Sequence, residues 1–155
     1  MRMRYAITFV LAALIAAGPV TSNAAIITFH SHADQGEEVP PTGSTATGVG
    51  EVTLDTDTNV LSWSITHNVQ NETAAHFHNA PVGVNGPVVV GLGVGFIKVG
   101  SQAVSDAIET AFLGGNIYLN IHSTAFPGGE IRGQANQVPT ATLAQTWGRI
   151  KALYR

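Results

Sequence analysis

The chain carries 6 histidines and no cysteine. Four of the histidines form two H-x-H pairs, His30/His32 and His76/His78; the others are His67 and His122. Residues i and i+2 of a strand project to the same side, about 6.5–7 Å apart, so two imidazoles at that spacing can converge on one ion. With no thiolate available, an imidazole-rich site favours Zn²⁺ or Cu²⁺. Asn116 to His122 (NIYLNIH) alternates, with Ile117, Leu119 and Ile121 on one face and Tyr118, Asn120 and His122 on the other. If that strand neighbours the one bearing His76 and His78, then His76, His78 and His122 form the candidate metal site. Glu130 is a candidate to complete it or to orient an imidazole from outside. His30 and His32 are a second pair that would join the same ion. His67 stands alone and reads as a surface residue. The competing reading of the histidine face is a hydrogen-bonded structural element or a solvated surface.

The elements that must position these side chains are short strands. Ile26 to His32, Val49 to Leu54, Val60 to His67, Ala74 to Ala80, Pro87 to Leu92, Asn116 to His122 and Glu130 to Ala135 each read as one. Asp34 to Ser44 (DQGEEVPPTGS) and Pro127-Gly128-Gly129 read as loop and turn, and Asp55 to Asn59 reads as a hairpin turn. Gly91, Gly93 and Gly95 predict a bulge or bend. Ser101 to Leu113 is the one internal helical segment, with Ser101 as its N-cap and Gly114-Gly115 as its stop. The expected fold is all-β: an antiparallel Greek-key-like sandwich or barrel of about seven to eight strands with one short helix.

The ends read differently. Met1 to Ala24 has Arg2 and Arg4 ahead of a short apolar run and closes on Ser22-Asn23-Ala24, the pattern of a cleaved secretory signal peptide. Residues 25–135 form the expected body, 136–145 a polar linker and 146–155 a short tail. In that tail Trp147, Ile150 and Tyr154 recur at helical spacing beside Arg149, Lys151 and Arg155. A helix so short needs a surface to dock on, whether its own domain, a partner or a membrane interface, and the competing reading of the tail is a frayed extension. No transmembrane segment is expected once the leader is cleaved.

Charge narrows the function. Without Arg2 and Arg4 the chain has 5 cations against 10 acids, a net −5, and between Ala25 and Asn136 only Lys98 and Arg132 face all 10 acids, a net −8. Such a body repels nucleic acid and attracts cations. Glu37-Glu38 and Asp55/Asp57 are weak Ca²⁺ candidates. No G-x-S-x-G elbow or triad spacing supports a hydrolase. Arg132 is a candidate partner for Glu130, or an anchor for the Glu37-Glu38 loop.

Three motif blocks carry a family resemblance. They are Glu38-Val39-Pro40-Pro41 with Thr45 and Gly48; Ala75-His76-Phe77-His78 with Gly83, Gly86, Pro87 and Val88; and Tyr118-Leu119-Asn120-Ile121-His122-Ser123 followed by Phe126-Pro127-Gly128-Gly129-Glu130-Ile131-Arg132-Gly133-Gln134. Together they resemble the CHRD (chordin) domain in its bacterial, single-domain, secreted form, over about Ile26 to Ala135. The resemblance implies a secreted or extracytoplasmic protein, in the periplasm, at the cell surface or outside the cell. It also implies a non-enzymatic binding or structural module whose partner is a metal ion or an extracellular protein. The Cys-rich modules of animal chordins are missing, so growth-factor binding does not carry over. A histidine pair in a β-sandwich also invites comparison with copper–zinc superoxide dismutase. That comparison makes a metal-dependent redox enzyme the alternative, by analogy of fold alone.

Overall fold

A computed structural model describes residues 25–139. The expected signal peptide and tail, and most of the expected linker, lie outside the described residues. Nine strands and one helix follow in order: β1 (Ile26–Ala33), β2 (Gly48–Asp55), β3 (Val60–His67), β4 (Glu72–Asn79), β5 (Val88–Gly91), β6 (Ile97–Ala103), α1 (Asp106–Leu113), β7 (Ile117–Ser123), β8 (Ile131–Gln134) and β9 (Asn136–Gln137). They form two antiparallel sheets, one ordered β6-β3-β2-β1-β9 and the other β5-β4-β7-β8. The expected all-β sandwich is the observed fold.

Period-two alternation builds the core. Phe29, Leu54, Leu61 and Ile65 from the larger sheet face Phe77, Ile117, Leu119, Ile121 and Ile131 from the smaller, all fully buried. Each such side chain contributes about 1.5–3 kcal/mol on burial. The helix adds Phe112, whose ring lies 5.2 Å from Phe29 and 5.7 Å from Phe77, so it touches both layers. In the β2–β3 hairpin Asp55 caps its own turn, its Oδ1 accepting from the Asp57 and Thr58 amides at 2.9 and 3.2 Å. Asn59 then takes the left-handed conformation (φ 53°) that reverses the chain.

The chain departs from expectation at two elements. Ile97–Ala103 is a strand, so Ser101 sits in β6 and is not an N-cap; the helix starts after Ser105. Apolar spacing from Val104 to Phe112 was helical, but Ser101 to Ala103 hydrogen-bond to β3 through the Leu61↔Gln102 and Ser62↔Ser101 pairs. The first two residues of the expected linker, Asn136 and Gln137, form β9 against His30 and Phe29.

His67 is also not a surface residue. Its side chain is fully buried beside Glu72 and Lys98. The Lys98 ammonium donates to Glu72 Oε1 and, at 2.7 and 3.1 Å, to the Gly95 and Gly93 carbonyls. His67 Nε2 donates to the Gly95 carbonyl at 2.9 Å, while its Nδ1 accepts from the Val69 amide at 3.2 Å. These bonds tie the glycine-rich β5–β6 crossover to the sandwich rim. Gly93 (φ 71°) and Gly95 (φ 129°) adopt the conformations that aim their carbonyls at Lys98.

Candidate metal centre

β4 and β7 are neighbours, with His76↔Asn120, His78↔Tyr118 and Ala74↔His122 in register. Ala75, Phe77 and Leu119 point into the core, so His76, His78, Asn120 and His122 share the outer face of the smaller sheet. His122 lies diagonally across from His76, within reach for aromatic rings. The ring centroids of His76 and His122 are 5.2 Å apart, those of His76 and His78 5.6 Å, and those of His78 and His122 6.1 Å. One nitrogen from each of the three lies within 4.8 Å of the others.

Hydrogen bonds set which nitrogens are free. His78 Nδ1 lies 2.9 Å from the Gly86 carbonyl, and His122 Nδ1 3.1 Å from the Pro127 carbonyl. A carbonyl only accepts, so both Nδ1 atoms carry the proton and both Nε2 atoms keep a lone pair. His78 Nε2 is buried with no hydrogen-bond partner in the protein. His76 Nδ1 lies 3.3 Å from His122 Nε2 and donates to it. Two nitrogens bound tetrahedrally at about 2.0–2.1 Å are about 3.3–3.4 Å apart, so the His76–His122 pair already has a ligand spacing. A metal would replace the single proton between them. Burial, followed by the neighbouring His122 and His78, holds the His76 pKa below the usual imidazole value. Burial is also the main cause for His78, with His122 and Arg132 adding to it against the Gly86 hydrogen bond. Both shifts favour the neutral, ligating form.

A buried polar layer backs the site. The Tyr118 ring stacks on His78 at 4.9 Å and 12°, and the Arg132 guanidinium covers Tyr118 at 3.6 Å. Arg132 donates to the Val84 and Pro81 carbonyls at 2.9 and 3.1 Å, which pins the loop that delivers Gly86. Tyr118 Oη accepts from the Gly86 amide at 3.0 Å. Gly86 must be glycine, because a Cβ there would lie 2.1 Å from the Asn79 carbonyl oxygen.

Other expected residues are placed elsewhere. Glu130 does not join the histidines; its Oε1 accepts from Ser44 Oγ at 2.6 Å, and backbone carbonyls do the orienting instead. His30 and His32 project from the outer face of the larger sheet, on the opposite side of the sandwich, beside Glu51 at 3.4 Å and Asp34 at 3.8 Å. Arg132 makes no ion pair with Glu130; the Glu37 carboxylate instead accepts from the Gln134 amide at 3.0 Å. The alternation that placed Tyr118 and Asn120 beside His122 could also have placed Arg132, which pairs with Asn120, on that face. Glu38, in the loop over that face, is 5% exposed and has its pKa pushed up by burial to about 7, against the pull of Arg132.

Among the described residues no helix is long and apolar enough to cross a membrane. The family model described as the CHRD domain matches residues 29–135. No curated protein and no solved structure matches the chain.

Proposed function

The chain belongs to the CHRD domain family, and from that premise we propose that it is an exported, non-enzymatic binding module that holds one Cu²⁺ or Zn²⁺ ion through His76, His78 and His122. The observation that carries the reading is the convergence of three imidazole nitrogens within 4.8 Å, two of them fixed as acceptors by carbonyls on the far side of the ring. Such outer hydrogen bonds are what orient ligating histidines in metal sites. The net acidity of the body favours cation capture. Export is supported by the leader-like first 24 residues and by the family. The test is metal analysis of untagged protein after incubation with copper or zinc and exhaustive dialysis. One ion per chain is expected, with none retained by the His76→Ala/His78→Ala protein. A metal-free wild type, or a double variant that still retains the ion, refutes the reading.

A metal-dependent redox role of the superoxide-dismutase type is the second reading. His76 and His122 are only half-buried, which favours it by leaving the ion reachable from solvent. Superoxide consumption by the copper-loaded protein, absent from the double variant, would promote it.

A further inference from the structure

We propose that the ion held by this triad takes a small anion in its fourth coordination position, which makes the outer face of the smaller sheet an anion-accepting site. The proposal rests on the metal reading above and adds the ligand class. Its first support is the ligand set. No carboxylate belongs to the group of His76, His78 and His122. Each ring enters as a neutral ligand, so a divalent ion keeps its double charge. The acid expected there, Glu130, is spent on Ser44.

The second support is access. A closed structural zinc site has four protein ligands, whereas three leave one position for water or an incoming group. His76 and His122 are half-buried, and His78 is buried against Tyr118, so the exposed side of the cluster lies toward the first two rings.

The third support is the fixed charge behind the rings. Arg132 is 1% exposed and stands one ring behind His78, through the Tyr118 stack. Its partners are the neutral oxygens of Val84, Pro81, Asn85 and Gln134. No carboxylate pairs with it at salt-bridge distance among the described residues, and Glu38, the acid over this face that feels its pull, has its pKa pushed up by burial to about 7. The chain is acidic as a whole, yet this face joins a dication to a buried guanidinium. A cation so placed is the largest local charge and favours an anion over a neutral ligand.

The test is an azide titration of the copper(II)-loaded protein at pH 6, followed by the azide-to-copper charge-transfer absorption, with uncharged pyridine as the comparison ligand. Saturable azide binding in the millimolar range or tighter, stronger than that of pyridine, is expected. Ala74→Asp supplies the charge control. Ala74 pairs directly with His122 on the same face, so a carboxylate there neutralises or ligates the ion. Copper retention with at least tenfold weaker azide binding is expected of that variant. Copper binding without an azide response, or a preference for pyridine, overturns this proposal and leaves the metal reading standing. Failure to bind copper overturns both.

Discussion

Replacing Glu38 with Gln should make the protein more stable at alkaline pH and leave it nearly unchanged in acid. In the folded protein the Glu38 carboxyl holds its proton up to about pH 7, against an ordinary value of 4.5, because burial outweighs the pull of Arg132. Between those two pH values the unfolded chain releases a proton that the native state retains. Native stability therefore falls as pH rises from about 4.5 to 7 and levels off above. The full shift corresponds to about 3 kcal/mol, reduced to about 2 kcal/mol once solvent screening at a loop carboxyl is allowed for. Gln carries no charge to desolvate, and its amide supplies a donor in a niche where Asn120 Oδ1 has no partner within the protein. The Gly129 backbone lines that niche: a Cβ there would sit 2.6 Å from both Glu38 Oε1 and Asn120 Oδ1. Urea unfolding by circular dichroism at pH 4.5, 6 and 8 would read the effect. The expected gap between variant and wild type grows from near zero at pH 4.5 to about 2 kcal/mol at pH 8. A Gln variant less stable than wild type at pH 8, or a difference that does not change with pH, would refute the reasoning.

Other perturbations test the frame around the site. Lys98→Met leaves Glu72 buried without its cation and should destabilise the fold by about 3–5 kcal/mol in urea unfolding, more than Lys98→Met with Glu72→Gln together. Gly86→Ala places a methyl against the Asn79 carbonyl; about 3 kcal/mol of stability should be lost, together with the Gly86–His78 hydrogen bond and much of the metal affinity. Because His76 and His78 titrate below the usual imidazole value, zinc affinity measured by calorimetry should hold nearly constant from pH 8 to about 6.5 and fall only in more acidic buffer. A steep loss already between pH 8 and 7 would contradict those shifts.

Period-two patterning made the fold class and the histidine face readable, because it assigns sides before any pairing is known. What it could not assign was adjacency. His122 meets His76 because β7 lies beside β4, whereas His30 and His32 have the same spacing on the far sheet. The strand Ile97–Ala103 was hidden because its one inward cation, Lys98, looks like an exposed residue until Glu72 and the Gly93 and Gly95 carbonyls are brought around it. His67 reads as a surface residue for a similar reason: Gly95, which accepts from its Nε2, lies in a crossover whose path local sequence does not encode. Glu130 is a candidate by residue type for completing the site or orienting an imidazole, yet the loop bearing Ser44 holds its carboxylate. The orienting groups are backbone carbonyls of Gly86 and Pro127, which carry no side-chain signature.

The atoms that surround a bound ion decide whether His76, His78 and His122 hold it. X-ray absorption of the protein loaded with one equivalent of zinc should give three imidazole nitrogens at about 2.0–2.1 Å plus one light atom, falling to two imidazoles in His122→Ala. A coordination shell dominated by carboxylate oxygens, or one that His122→Ala leaves unchanged, would contradict it.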